Sequence, residues 1–229
     1  MDLSDLYRQY VPVNARTLLD TVMGDRSPIT EKNFSPEELD AIKKAVQTAK
    51  SRNDTLESMY RNRQYITPSE YQRDPDQRLV NRPDGSGMDL VTIPYSQYQE
   101  ELRNKVASFD NTRGRTSFSY GDYPIKSGET AAPVGQGWVS AIKQSYDDPG
   151  FRMASTLGSA KYFDNGGKPY VEDSYGFSGD HPGVYKGIND QSSLWDILKR
   201  YGSQPGSLGE LLFSKYLGNV RRPVKINLK

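Results

Sequence analysis

FRMASTLGSAKYFDNGGKPYVEDSYGFSGDHPGVYKG, residues 151–187, is the stretch on which the fold turns. Two aromatic-rich runs, 157–163 and 169–177, flank Asp164-Asn165-Gly166-Gly167. Asn-Gly and Gly-Gly supply the positive φ angles that a tight turn between antiparallel strands requires. The segment therefore reads as a β-hairpin. Its second strand ends in Glu172-Asp173-Ser174-Tyr175, and the chain's one histidine, His181, follows shortly after.

Working outward, Arg222–Leu228 (RPVKINL) places Val224, Ile226 and Leu228 in alternation with Lys225 and Asn227. That is the pattern of a half-buried strand, expected to join the hairpin's sheet. Residues 115–123 (RTSFSYGDY) read as a further strand entering a turn, with Phe118 and Tyr120 alternating with serines. Between them lie helix signals at Gly137–Ser145, Leu194–Tyr201 and Leu208–Leu217, the last two capped by serines and ended by glycine. Asp147-Asp148-Pro149-Gly150 reads as a turn. The expected fold is α+β: a small antiparallel sheet made of the hairpin and the C-terminal strand, with packed helices. Residues 113–229 are expected to form that module.

Residues 1–112 read as an N-terminal helical segment and a polar, extended, partly helical arm. Short helices are expected at 2–10 and at 15–23, the second gathering Leu18, Leu19 and Val22. From Ser35 a capping box with Glu38, Pro36 at the first helical position, and Leu39, Ile42, Val46 and Ala49 at helical spacing predict a helix ending near 50–53. Residues 51–90 lack periodicity and are dominated by Arg, Asn, Gln, Asp and Pro, so they read either as flexible or as an extended arm ordered by another subunit. Tyr98, Leu102 and Val106, four apart, predict a helix over 95–108.

Composition narrows the function classes. The 229 residues carry a formal net charge of +1, so no global basic field favours nucleic acid. Apolar residues make up 34%, below the ~45–50% usual in soluble domains, a figure that counts glycine. Part of the chain is therefore expected to lie on a partner. Sixteen tyrosines suit contact surfaces, because tyrosine is amphipathic and orders at little entropic cost; they also serve simply as strand residues. The absence of cysteine excludes disulfides, thiolate catalysis and cysteine-ligated zinc. MDLSDLYRQYVPVN lacks a signal-peptide pattern, and no apolar run is long enough to span a bilayer. Synthesis in a cytoplasm without membrane insertion is the expectation.

No nucleophile elbow, zincin, Walker or dinucleotide fingerprint is present. Neither a cofactor nor a metal is expected: Asp164, Asp173, Asp180 and His181 match no metal-site spacing. Glu172 and Asp173 are strand neighbours, so they point to opposite faces and cannot share a proton. Asp173 and Tyr175 share a face. With an imidazole arriving from the following loop, they could activate water by general base catalysis; the plainer role is to hold the hairpin's loop by hydrogen bonds. In the arm, Arg61, Arg63, Arg73, Arg78 and Arg82 interleaved with tyrosine fit nucleic-acid contacts, diluted by Asp54, Glu57, Glu70, Asp74 and Asp76. Nucleic acid is a minor expectation.

The run 157–162 (LGSAKY), the turn at 165–167 and Val171-Glu172-Asp173-Ser174-Tyr175-Gly176-Phe177 resemble a hairpin of tailed-phage virion proteins. The same pattern resembles the catalytic end of colicin M, a bacteriocin that hydrolyses the peptidoglycan precursor lipid II, whose motif reads D-x-Y-D-F and then His-Arg. Ile29-Thr30-Glu31-Lys32, Ser35–Leu39 and Tyr120-Gly121-Asp122-Tyr123 also look phage-like. The resemblance assigns the catalytic positions to Asp173, Tyr175 and His181. It departs at Gly176, where the motif has its second Asp, and at Pro182, where it has Arg. Those losses remove a base or metal ligand and a diphosphate clamp. The resemblance therefore implies a virion structural protein of the tail or internal capsid, with the colicin-M-like fold retained and its chemistry weakened or gone. Its implied partners are other virion proteins in an oligomeric assembly. A lipid II hydrolase and a nucleic-acid-contacting accessory protein are the alternatives.

Overall fold

A computed structural model of the chain describes residues 7, 10–74, 76–126, 138–164, 166–176 and 221–228, with backbone alone at 138–142. It divides into two compact units, residues 1–49 with 114–229, and residues 50–113. Six helices and seven strands occur among the described residues.

In the first unit the expected hairpin is present. Its strands are β5 (Ala160–Asp164) and β6 (Pro169–Gly176), in antiparallel register with Tyr162 opposite Val171. Gly166 and Gly167 hold φ of 61° and 85° in the turn, the left-handed region that glycine enters without steric cost. The C-terminal strand β7 (Arg221–Asn227) pairs antiparallel with β6, and β4 (Arg115–Phe118) pairs antiparallel with β5. The fold is α+β as expected, but the sheet is larger than hairpin plus terminal strand and is mixed. β1 (Ile29–Thr30) lies parallel to β7, giving the order β1-β7-β6-β5-β4. Two residues are too few to show a period, so this edge strand exists only through its pairing.

One sheet face is apolar. Phe118, Ala160, Tyr162, Val171, Val224, Ile226 and Ile29 are buried in a single cluster with residues from three helices. α1 (Val13–Val22) contributes Val13. α2 (Pro36–Arg63) contributes Ala41, Ile42, Ala45, Val46 and Ala49. α6 (Pro149–Leu157) contributes Met153, Ala154 and Leu157. Each fully buried large aliphatic side chain here is worth roughly 1.5–3 kcal/mol.

α2 begins as its sequence dictates. The Ser35 backbone N–H donates to Glu38 Oε2 at 2.8 Å, and the Glu38 N–H donates to Ser35 Oγ at 3.3 Å. The remaining Glu38 oxygen accepts from Arg152 Nε of α6 at 2.7 Å, a largely buried ion pair that clamps the two helices. α1 turns a different stripe inward than its leucines suggest: Val13, Thr17 and Thr21 are buried, whereas Leu19 and Val22 are exposed. Thr21 settles its hydroxyl by donating to the Thr17 carbonyl at 2.6 Å. Asp148 is not in a turn but caps α6, accepting from Gly150 and Phe151 N–H groups, with Pro149 in the first turn. α5 (Trp138–Asp147) precedes it.

The second unit replaces the expected arm over residues 51–90 with ordered elements. α2 continues to Arg63, well past 50–53. Its exposed outer half carries the Glu57–Arg61 pair at (i, i+4) spacing, and Arg61 also reaches Asp110. α3 (Pro68–Arg73) is capped by Thr67, whose hydroxyl accepts from the Glu70 N–H while its own N–H donates to the Glu70 carboxylate. β2 (Gln77–Asn81) and β3 (Met88–Thr92) form an antiparallel hairpin. α4 (Tyr95–Asn111) buries Tyr98, Leu102 and Val106, as their spacing predicts. Tyr71, Ile93, Tyr98 and Leu102 form this unit's small core, with Tyr71 donating to the Ile93 carbonyl. The helices expected at 194–201 and 208–217 lie outside the described residues, as do nearly all of 2–10.

Candidate functional site

β6 carries two of the three predicted site residues. Val171, Asp173 and Tyr175 alternate on it, and their partners on β7 are Ile226, Val224 and Arg222. Directly opposed residues of an antiparallel pair share a face, so Asp173 and Tyr175 point to the apolar side of the sheet. Glu172 points the other way and meets Lys225 at 3.6 Å. The structure thus brings Asp173 and Tyr175 to one face and keeps Glu172 off it. His181 lies outside the described residues.

Electrostatically the site is a desolvated one. Burial raises the Asp173 carboxyl above its ordinary 3.8, with the Ser174 backbone N–H opposing the shift. Tyr175 packs against the core, and burial pushes its phenol far up, an effect moderated by the nearby Arg222 charge. At neutral pH Tyr175 is therefore a hydrogen-bond donor and not a base. Two further residues belong here that sequence reasoning passed over. Tyr123 is buried, its phenol raised first by desolvation and then by the charge of Asp173. Its hydroxyl has no hydrogen-bond partner among the described residues. Arg222 is 2% exposed and faces Tyr175 across the strand pair. Its signal was present in the sequence, since Arg222 is in phase with buried Val224, Ile226 and Leu228.

Arg222 is not free to clamp an anion. Nε donates to the Ser27 carbonyl at 3.0 Å, Nη1 to Thr21 Oγ1 at 3.2 Å, and Nη2 to Asp25 Oδ2 at 2.9 Å. Asp164 stands at the opposite end of the hairpin, paired with Pro169. That is four residues from Asp173, roughly 13 Å along the strand, so these two carboxylates do not share a site. No protein-family model, curated protein or solved structure matches the chain.

What the arrangement can do is limited and specific. A carboxyl of raised pKa beside buried phenols holds its proton to higher pH than an exposed aspartate does. A separate cleft of about 990 Å³ in this unit, lined by Arg16, Asp20, Lys32, Glu37, Tyr146 and Arg152 among others, excludes both Asp173 and Tyr175.

The Asp173 shift makes a prediction about stability. A carboxyl whose folded pKa lies above its unfolded value favours folding fully below the unfolded value. That contribution is lost as pH rises through the folded pKa. Asp173→Asn removes the desolvated charge. The variant is expected to unfold at a higher temperature than wild type at neutral pH, with the difference vanishing as pH falls below the ordinary 3.8. Thermal melts by circular dichroism at a series of pH values check this; a variant less stable at neutral pH than at low pH, relative to wild type, would refute the assignment.

Proposed function

We propose that the chain is a virion-associated structural protein of a tailed phage, a tail or internal capsid component, and that it docks on neighbouring subunits through residues 51–90. One observation carries the docking part. Every residue of the β2–β3 hairpin is exposed, including Leu79, Val80, Met88, Leu90 and Val91. A two-stranded hairpin is marginal alone in water, and contiguous exposed apolar side chains mark contact surfaces. The virion assignment rests on the resemblance of residues 157–177. Such a protein would be made in the host cytoplasm and end in the particle.

The second reading, a colicin-M-like hydrolase of lipid II, is favoured by the shared face and desolvation of Asp173 and Tyr175. Against it stand Gly176 and Pro182, and an Arg222 already engaged by three acceptors. Nucleic acid is disfavoured by the arm's own pairing, since Arg61, Arg63, Arg78 and Arg82 each meet a carboxylate. Incubation with lipid II separates the first two readings. The structural reading expects no release of phosphorylated headgroup; release that disappears in Asp173→Ala would overturn it in favour of the enzyme.

A further inference from the structure

The β2–β3 hairpin has a handed distribution of charge and an open edge, and the two together specify an occupant. Registered pairs are Gln77–Thr92, Arg78–Val91, Leu79–Leu90, Val80–Asp89 and Asn81–Met88. One face therefore carries Gln77, Leu79, Asn81, Met88, Leu90 and Thr92, with no charge at all. The other carries Arg78, Val80, Asp89 and Val91, and every charged side chain of the two strands. On the uncharged face Leu79, Leu90 and Met88 are 68%, 61% and 57% exposed.

The backbone fixes which groups are open. Arg82 N–H donates to the Gly87 carbonyl at 2.8 Å, which makes 82/87 a hydrogen-bonded pair. Such pairs alternate along an antiparallel ladder. Val80–Asp89 and Arg78–Val91 are then bonded pairs, and Met88, Leu90 and Thr92 aim their N–H and C=O groups away from β2. No further strand covers that edge among the described residues. β2 is the strand tied to the helices, through Arg78 to Glu101 and Asp76 to Arg63. The β3 edge carries neither proline nor lysine, the residues that commonly protect an open edge.

We infer that β3 pairs with β3 of a second copy of this chain, antiparallel about a two-fold axis at Leu90. Leu90 then forms a hydrogen-bonded pair with Leu90 of the second copy, and Met88 pairs with Thr92 of the second copy, which uses the outward groups of all three residues. The uncharged face becomes a row of four leucines, 79, 90, 90 and 79, flanked by Asn81, Met88, Thr92 and Gln77. On the charged face each Arg78 lies in the same row as Asp89 of the second copy, two strands away at roughly 9.6 Å. The rows match opposite charges and place no like charges directly opposite. Four strands with an apolar face pass the threshold of independent stability that two do not. An isologous pairing of this kind is the common route to a symmetric dimer. This deepens the proposed docking role by naming its first partner.

The experiment is sedimentation of the purified full chain over a concentration series, with three variants. Wild type is expected to reach about twice its 25.8 kDa mass. Leu90→Pro removes only an outward N–H, so the intrahairpin ladder stays whole while the dimer is lost. Leu90→Lys keeps the backbone and sets two ammonium groups side by side on the axis, again giving monomer. Leu79→Pro makes the equivalent change on the β2 edge and leaves the dimer intact. A wild type that stays monomeric, a Leu90→Pro protein that still dimerises, or equal loss in Leu79→Pro would each overturn the inference. None of these outcomes bears on whether the chain is found in virions, so the docking partner and the virion assignment fail separately.

Discussion

Gly150→Ala is expected to destabilise the sheet-bearing unit by about 3 kcal/mol, the upper end of overpacking costs. Gly150 sits in the first turn of α6, where the chain after β4 crosses against it. A β-carbon built there would lie 2.4 Å from the Pro124 carbonyl oxygen and 2.8 Å from its carbon. Neither side can yield cheaply. Asp148 holds the helix start by accepting from the Gly150 and Phe151 N–H groups, and its other oxygen holds the Lys126 N–H at 2.7 Å. The clash thus falls between two backbones joined by the same carboxylate. For a chain of this size the change corresponds to a fall in Tm of roughly 6–12 °C. A melt within about 1 °C of wild type would show that the approach of Pro124 to α6 is wrong.

Arg222→Met is the second large effect, at about 3 kcal/mol. The guanidinium is buried and spans the Ser27 carbonyl, Thr21 Oγ1 and Asp25, joining the last strand to a segment almost two hundred residues earlier. Asp25 is itself 39% exposed, so the Coulombic part is screened and contributes little. The loss comes from charge-assisted hydrogen bonds and from Thr21 Oγ1, buried and deprived of its donor. Lysine restores the charge without the fork that reaches three acceptors. Arg222→Lys is therefore expected to recover less than half of the loss in denaturant titrations; full recovery would mean that charge alone matters here.

These residues also show where the sequence speaks and where it is silent. The β5–β6 hairpin and β7 are legible because their information is local: two glycines at positive φ, and an alternation of Val224, Ile226 and Leu228. The capping box at Ser35 is legible for the same reason. Asp148-Pro149-Gly150 misleads, because an aspartate before proline announces a turn and a helix N-terminus alike. Only Phe151, Met153, Ala154 and Leu157, all buried, decide between them. The outer half of α2 hides because its apolar residues are few, with Leu56 and Met59 exposed and only Tyr60 packed on the second core, among pairs such as Glu57–Arg61. β1 hides because its pairing with β7 is made nearly two hundred residues away. At the site, Asp173 and Tyr175 are readable as strand neighbours two apart. The alternation of β7 marks Arg222 as inward, but its place opposite Tyr175 is set by the β6–β7 pairing, and no local pattern marks Tyr123.

The same division bears on function. The exposed β2–β3 hairpin lies in a stretch that composition alone marks as polar and unstructured, yet it contains the apolar surface a partner would cover. Burial opposes ionisation of Asp173, so its charged form is less favourable than that of an exposed aspartate.

The most direct test of the account is the protein content of purified phage particles. Particles banded by density and washed in high salt are expected to retain this chain at a fixed copy number relative to the major capsid protein. Complete, infective particles that lack the chain while it remains in the lysate would contradict the account.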